Sequence, residues 1–383
     1  MNINSLILGF TVSTLAVTGA RAADAIIIAE PEPVEYVRVC DVYGAGFFYI
    51  PGTETCLRIS GYVYHQIGAT SADNLGDTPS WAGGTGTRGD AFTNRTRARV
   101  NFDARSETQY GTLRSYIRVQ SELTETNYSQ DGNGVFDQAW LSLGGFLAGY
   151  TESAFHNSNL VGSKTNGTGF ADDALSYAKH QRQLIQYNFS GSNGFFAVAS
   201  LENDPDDNDY VPDFVGKVGI QQGWGAAWLT VGVDQDNGGL TGLPGDTEFA
   251  VKAGLHYNVP GAPGSAFRLV GHYNSDPNSY QQQIGGSGWL ASEWSVYAGY
   301  IHQFNPQVAA WIGAAYYDDV YVSPFLDGAP GWSTASSRDG FHVETGLTWE
   351  PVKNFEVRAE AVYTKVDNFD GTVSGFLRFT RSF

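Results

Sequence analysis

Polar and apolar residues alternate with a period of two through most of the chain after residue 57. From Arg97 to Arg105, one face carries Arg, Asn and Asp side chains, and the other carries Ala, Val and Phe. Such alternation predicts β-strands with one polar and one apolar face. Clusters of Gly, Asn, Asp and Pro separate the strands. We count sixteen, at approximately 57–68, 93–105, 110–121, 136–143, 146–151, 182–190, 194–202, 213–220, 225–234, 247–258, 265–274, 293–304, 307–318, 340–350, 354–366 and 373–383.

The connections between these strands alternate between short and long. Short ones such as 106–109 and 144–145 contrast with long ones such as 69–92 and 152–181. Outer-membrane barrels place short turns at the periplasmic end and long loops at the extracellular end, with polar residues inside and apolar residues towards lipid. We therefore predict an all-β fold, a 16-stranded antiparallel transmembrane β-barrel with long extracellular loops.

Composition and the N-terminal segment indicate an exported protein. Charged residues make up only 16% of the chain, aromatic residues 14%, and the formal net charge is −18. The apolar run 6–17 is too short to span a bilayer as a helix, and it leads into Ala-Arg-Ala at 20–22, the pattern of a signal-peptide cleavage site. We predict a signal peptide at 1–22, although its start lacks Lys or Arg; a buried helix is the alternative.

The chain has two cysteines, Cys40 and Cys56. An oxidising compartment favours a disulfide between them, and two buried thiols are the alternative. Closing a loop of about 15 residues stabilises a protein by roughly 3 kcal/mol in the chain-entropy model. We therefore predict a periplasmic tether at 23–56, closed by this disulfide, followed by the transmembrane barrel at 57–383.

Long ordered strings at both ends of the chain match a known family. They are PVEYVRVCDVYGAGFFYIPGTETCLRISGYV at 33–63, AADAI before it, and RFTRSF at the C-terminus, together about a quarter of the chain. These strings resemble the general porins of alphaproteobacteria, of the Brucella and Rhizobium type. The resemblance implies a homotrimeric channel in the bacterial outer membrane, with sixteen strands, a third long loop folded inward, and passive diffusion of small hydrophilic solutes.

Six arginines fall on the polar faces of the first three predicted strands, which are neighbours in an up-and-down barrel. A barrel of about sixteen strands leaves an aqueous lumen. We expect these arginines to form one positive wall of that lumen; the alternative is a solvated strand face, or pairing with carboxylates such as Asp103. The six are Arg58, Arg95, Arg97, Arg99, Arg114 and Arg118.

An acidic loop is expected to face this wall. The third long connection, which the resemblance places inside the barrel, carries Glu152, Asp172 and Asp173. Glu122, Glu125 and Asp137 lie around the preceding outer loop. A basic wall opposite an acidic loop would form a charged constriction that selects solutes by diameter and charge. We expect a mild cation preference if the acidic loop dominates the mouth of the channel.

Two further contacts with the cell envelope are expected. After cleavage the mature chain would begin at Ala23, and a free N-terminal Ala-Asp resembles an acceptor for covalent attachment to peptidoglycan in barrels of this bacterial group; a frayed terminus is the alternative. The acidic stretch 202–209 is expected to be a solvated loop, or to bind divalent cations that bridge to lipopolysaccharide. The strong acidity argues against nucleic acid as a partner.

Little in the sequence suggests catalysis. The seven histidines show neither HExxH nor HxH spacing, so a metal site has little support. The string GTGTRG at 84–89 matches GxGxxG, but it lies in a loop with no helix after it. We predict no enzyme activity, no cofactor and no metal. The alternatives to a general porin are a structural or adhesin barrel that anchors the envelope to peptidoglycan, or a substrate-specific sugar channel.

Overall fold

The computed structural model describes residues 38–72, 91–124, 135–156, 169–171, 175–176, 181–203, 211–235, 247–275, 278–281, 283–284, 291–321, 338–368 and 371–383. The chain divides into two units, Met1–Arg38 and Val39–Phe383, and only Arg38 of the first unit is described. The predicted signal peptide and Ala23 lie outside the described residues and stay predictions.

Almost all described elements are β-strands. A 3-10 helix at Asp41–Tyr43 comes before all of them, and no helix in the described ranges is long and apolar enough to cross a membrane. The strands are β1 (Phe48–Tyr49), β2 (Cys56–Ala72), β3 (Ala91–Thr108), β4 (Gly111–Thr124), β5 (Val135–Leu143), β6 (Phe146–Glu152), β7 (Leu175–Ser176), β8 (Gln181–Ser190), β9 (Phe195–Glu202), β10 (Asp213–Gln222), β11 (Gly225–Asp234), β12 (Glu248–Asn258), β13 (Ala266–Asn274), β14 (Gln283–Ile284), β15 (Ala291–Asn305), β16 (Val308–Tyr321), β17 (Gly340–Val352), β18 (Phe355–Val366) and β19 (Thr372–Ser382).

Sixteen of these strands, β2–β6, β8–β13 and β15–β19, close into an antiparallel barrel. Each pairs with the next barrel strand in the chain, and β19 pairs with β2 from Thr372–Ala72 to Ser382–Tyr62. Closure leaves no edge strand among these sixteen. The predicted sixteen-stranded barrel is confirmed. The largest boundary difference is at the end of β2, which reaches Ala72 rather than residue 68.

The two faces of the barrel strands differ as the alternation predicted. Outward-facing Ile59 and Val63 are 45% and 48% exposed, whereas Asp103 and Gln120 on the inner face are 1% and 6% exposed. A soluble sheet would bury the apolar face, because contact of apolar surface with water is unfavourable. Lipid makes the reverse arrangement stable, so the apolar exterior is the surface that meets the bilayer.

The disulfide predicted between Cys40 and Cys56 is present, with Cα atoms 6.0 Å apart. Both cysteines are buried in one cluster with Phe47. The guanidinium groups of Arg58 and Arg105 lie 4.9 Å and 5.0 Å from the centre of the Phe47 ring. Residues 39–55 of the predicted tether are therefore folded against the inner wall at the short-turn end, and β2 begins at Cys56 itself.

We expect the double substitution Cys40→Ser and Cys56→Ser to lower the free energy of unfolding by about 3 kcal/mol, because the unfolded chain regains the entropy of an open loop. Urea unfolding of the refolded protein in detergent measures the change. The single variant Cys40→Ser is the matched control and should lose as much as the double variant. An unfolding free energy equal to that of the unsubstituted protein would show that the bridge contributes no stability.

Candidate functional site

The inner faces of β2, β3 and β4 bring all six predicted arginines onto one wall of the lumen, together with Arg105. Strand register sets their neighbours, because residues opposite one another on paired strands share a face. Arg97 lies opposite Tyr64 on β2 and Glu122 on β4, and Arg105 lies opposite Arg114. We call this surface the arginine wall.

Towards the short-turn end, the arginine wall is organised around Asp103. This carboxylate accepts hydrogen bonds from Arg105 at 2.9 and 2.7 Å and from Arg114 at 2.8 and 2.9 Å. Arg58 lies 3.6 Å away. The alternative raised from the sequence, pairing with Asp103, is thus present for three arginines: Arg58, Arg105 and Arg114. Three guanidinium groups around one carboxylate leave this part of the wall positive.

Towards the long-connection end, Glu122 holds a second set of arginines. It accepts a hydrogen bond from Arg97 Nε and another from the hydroxyl of Tyr64, 3.1 Å away. Arg95 Nη1 lies 3.8 Å from the same carboxylate. The sequence placed Glu122 at the flank of an outer loop, but it lies on β4 as part of the wall, because β4 extends to Thr124.

Asp137 and Glu152 complete the carboxylates of the wall. Arg118 Nη1 lies 3.1 Å from Asp137 and 3.5 Å from Glu152, and Arg99 lies 3.5 Å from Asp137. The register of β4 against β5 shifts after Arg118, and Asp137 and its neighbour Gln138 are both buried. A β-bulge re-aims side chains in this way. Strict period two would have turned one of these two residues outward.

Aromatic rings lie beneath the guanidinium groups. The guanidinium carbon of Arg99 lies 5.0 Å from the centre of the Tyr62 ring, and that of Arg97 lies 5.3 Å from the centre of the Tyr64 ring. These two rings stack with their centroids 5.8 Å apart. Each such contact is worth about 0.5–1 kcal/mol at an exposed site. Rings and carboxylates together hold the arginines against the wall, so that their charge stays fixed in space.

The third long connection begins inside the barrel. Residues 153–156 are buried, and the amide of Ala154 donates to Glu202 at 2.9 Å. The Phe155 ring lies 5.3 Å from Tyr280 and 5.6 Å from His272. Glu202 is therefore a buried lumen residue rather than the first member of a solvated acidic stretch. The rest of that stretch lies outside the described residues, apart from Asn203.

Farther along, the same connection is attached to strands β13 and β17. The amides of Phe170 and Ala171 donate to Glu344 on β17 at 2.8 and 3.2 Å. Arg268 on β13 donates to the carbonyl of Gly169 at 2.7 Å. The connection thus folds into the barrel, as the resemblance implied. Its predicted acidic residues Asp172 and Asp173 lie outside the described residues, and Glu152 lies beside Arg118.

A second buried segment, 278–281, supports the third connection, and nothing in the sequence pattern indicated it. The Tyr280 hydroxyl donates to Asp213 at 3.0 Å, and the amide of Ser279 donates to Asp234 at 2.7 Å. Burial and the neighbouring Glu202 raise the pKa of Tyr280, so that it remains a protonated donor. In addition β7 pairs with β14, which joins the two connections directly.

These contacts divide the lumen into two sides. Phe155, Phe170 and the segment 278–281 pack on strands between β9 and β18, whereas the arginine wall lies on β2–β4. In the described part of the chain, no group of three or more His, Cys, Asp or Glu residues could hold a metal ion. The fixed charges of the arginine wall border one side of this lumen.

Comparisons with known proteins agree with this geometry. A family model described as porin subfamily matches residues 24–376. Porin Omp2a of Brucella suis is 32% identical over 419 residues, covering 100% of both chains. The outer membrane channel DcaP of Acinetobacter baumannii has a TM-score of 0.62 at 16% identity, covering 88% of this chain and 99% of that one. An anion-selective porin from Comamonas acidovorans has a TM-score of 0.59 at 14% identity, covering 86% and 100%.

The two structural similarities concern the fold alone, because their sequence identities are low. The family match spans most of the chain, and the relative from Brucella suis is similar over its whole length. The chain therefore belongs to the porin subfamily and forms a channel in the bacterial outer membrane.

Proposed function

We propose that small hydrophilic solutes and ions diffuse passively through a constriction between the arginine wall and the third long connection. The observation that carries the proposal is the attachment of Phe170 and Ala171 to Glu344 on β17, across the lumen from β2–β4. A loop held there narrows the passage and leaves the arginine wall facing it. Family membership implies a channel rather than an enzyme, and we propose that the chain has no catalytic activity.

The described charges of the constriction are unbalanced. The arginine wall contains seven arginines, including Arg105, and four carboxylates: Asp103, Glu122, Asp137 and Glu152. Fixed charge in a narrow passage with low-dielectric walls raises the local concentration of counter-ions. The wall by itself therefore favours anions. The mild cation preference expected from the sequence requires Asp172 and Asp173 to outweigh it.

A dedicated sugar channel is less consistent with the aromatic residues of the wall. Stacked rings occur, as in Tyr62 with Tyr64 and Tyr116 with Trp140. Each pair is covered by at least one guanidinium group, for instance Arg114, which lies 4.7 Å from the Trp140 ring. A sugar would need a free ring face for stacking, and guanidinium groups occupy the faces of these rings. We therefore propose that the rings position the arginines and do not bind sugars.

The remaining envelope contacts are proposals that rest on the resemblance of the chain ends. They comprise a homotrimer, a signal peptide at 1–22, the tether 23–56 before a barrel at 57–383, contact with lipopolysaccharide, and attachment of Ala23 to peptidoglycan. The apolar exterior supports contact with outer-membrane lipid. Digestion of purified cell walls with muramidase tests the attachment. A free N-terminus in every copy recovered would reject it.

We expect the refolded protein to conduct ions in a planar bilayer, with steps that close in thirds if the channel is a trimer. A salt gradient across the bilayer gives a reversal potential, whose sign reports whether the arginine wall or the acidic residues dominate. The heat-denatured protein is the control for detergent artefacts. Properly folded protein without conductance would indicate a closed barrel, and the adhesin or structural alternative would replace the porin function.

A further inference from the structure

A short hairpin comes before the first strand of the barrel, at the short-turn end. Val39 pairs with Phe48 in an antiparallel bridge, and the amide of Cys40 donates to the carbonyl of Phe47 at 3.0 Å. The turn that joins the two arms begins with the 3-10 helix. We call residues 39–48 the mouth hairpin.

Strand pairing fixes the point at which the mouth hairpin meets the barrel. Phe48 and Tyr49, which form β1, lie opposite Leu57 and Cys56 at the start of β2. The opposite side of β2 is taken by β3 over most of its length, so β1 and β19 share the remaining side. The pairing of β19 ends at Tyr62. Therefore β1 continues the barrel wall beyond the end of β19.

From β1, the mouth hairpin turns into the lumen. Cys56 lies opposite Arg105, which belongs to the arginine wall, and the disulfide brings Cys40 to the same inner face. The Phe47 ring lies 4.9 Å from the guanidinium carbon of Arg58 and 5.0 Å from that of Arg105. Phe47 is only 2% exposed, so its ring is packed on the inner wall.

Tyr43 carries the hairpin farther, from β2 to β3. Its ring lies 5.7 Å from the Phe47 ring and 5.6 Å from the Arg105 guanidinium carbon. Its hydroxyl is hydrogen-bonded to Glu107, which shares the inner face of β3 with Arg105. Desolvation and this hydrogen bond raise the pKa of Tyr43 to about 12, so it remains a donor at neutral pH. Neighbouring strands lie about 4.8 Å apart, so the hairpin crosses roughly 10 Å of the wall.

The mouth hairpin and the third long connection lie at different depths of the lumen. The hairpin packs at the start of β2, at the short-turn end. The third long connection is attached to Glu344, nearer the long-connection end of β17. A layer of chain packed on a sheet stands about 10 Å from it. The hairpin therefore takes up space in the short-turn mouth, and its strand pairing, disulfide and aromatic contacts hold it there.

We propose that the mouth hairpin is a second narrow point of the passage, which limits the size of solutes at the periplasmic end independently of the third long connection. The inference rests on the proposed diffusion function and adds a size filter to it. Solutes that arrive from outside the cell meet the third long connection first and the mouth hairpin last. Phe47 and the disulfide hold this filter in place.

Polymer exclusion, measured from each side of a planar bilayer, tests the proposal. Poly(ethylene glycol) that enters a channel lowers its conductance, whereas larger polymers leave it unchanged. In the triple variant Phe47→Ala, Cys40→Ser and Cys56→Ser, we expect larger polymers to enter from one side only. Conductance without polymer should rise by roughly half, because the passage is wider. Phe48→Ala is the matched control, since Phe48 shares the outer face with Leu57, and it should keep both exclusion limits.

Ala45→Trp changes the mouth in the opposite direction and keeps the disulfide and the contacts of Phe47. Ala45 is exposed at the tip of the mouth hairpin, so the added ring should lower the exclusion limit from that same side. Ser192→Trp adds an equal ring to the exposed short turn between β8 and β9, and its limits should not move. If the triple variant does not fold, Ala45→Trp decides, and unchanged limits in it would overturn the proposal.

The two sides of the bilayer separate this inference from the proposed function. Normal conductance, with exclusion limits that neither the triple variant nor Ala45→Trp alters, would overturn the mouth hairpin as a narrow point and leave the diffusion function intact. Equal changes from both sides would also overturn it, because they would indicate a distorted barrel. Folded, unsubstituted protein that does not conduct would contradict the diffusion function itself and, with it, this inference.

Discussion

Replacing Arg97 and Arg99 by Ser is expected to raise the single-channel conductance and to shift the permeability ratio about threefold towards cations. The substitutions remove two of the seven arginines in the arginine wall, whereas all four of its carboxylates remain. In the double variant, Glu122 would still have Arg95 as an ion-pair partner at 3.8 Å, and Asp137 would still have Arg118 at 3.1 Å. The carboxylates therefore stay partly paired and the strands should still fold. Loss of two bulky side chains also widens the passage.

The measurement is conductance and reversal potential in a potassium chloride gradient, for both single variants and the double variant. Arg381→Ser is the matched control, because Arg381 lies on the exposed face of β19 near the short-turn end. It removes the same charge without touching the lumen, so its reversal potential should not move. If the double variant matched the unsubstituted protein in both quantities, the arginine wall would not border the constriction.

Replacing Glu344 by Ala is expected to release the third long connection, with conductance rising roughly twofold and open-channel noise increasing. Glu344 is fully buried and accepts hydrogen bonds from Phe170, Ala171 and the hydroxyl of Tyr297, the last at 2.7 Å. Hydrogen bonds to a charged acceptor contribute about 1.5–3 kcal/mol each. The hydrogen bonds from Arg268 to the Gly169 carbonyl and from Arg358 to the Phe170 carbonyl would remain, so the connection would be attached more weakly.

Single-channel recordings at several voltages measure both effects, and limited proteolysis reports release of the connection. Glu356→Ala is the matched control, because Glu356 lies on the neighbouring strand β18 but nearer the short-turn end. It removes a carboxylate from the same part of the barrel wall without removing the acceptor of Phe170. Tyr297→Phe should raise conductance and noise by an intermediate amount, since it removes one of the three groups that donate to Glu344. Equal noise in the Glu344 and Glu356 variants would argue against the anchoring role.

The strands and their faces were predictable because both follow from local chemistry. Alternation in Arg97–Arg105 depends only on the period of an extended chain, and the register with β2 and β4 keeps the same faces together. The lengths of the connections then distinguished a membrane barrel from a soluble sheet. Because the faces follow from this alternation, all six predicted arginines lie on one wall. The bond between Cys40 and Cys56 was predictable for a different reason, since the chain has only these two cysteines and an oxidising compartment pairs them.

The partners of those arginines were less predictable. Asp103 could be named because it shares a face with Arg105 two residues away. Asp137 was placed near an outer loop, because a bulge at the start of β5 cannot be inferred from alternation. Glu202 was assigned to a surface stretch, since an acidic residue next to Asn, Asp and Pro is usually solvated. Its burial depends on the amide of Ala154, 48 residues earlier.

The sequence by itself thus determined the strands, their inner and outer faces, the closed barrel and the location of its positive wall. Only the tertiary structure decided how the lumen is filled. Phe170 meets Glu344 across 174 residues of chain, and Phe155 packs against Tyr280 of a second buried segment. The connections that carry these contacts have no hydrophobic period of their own. Their conformation is determined by hydrogen bonds and packing available only after the barrel has closed.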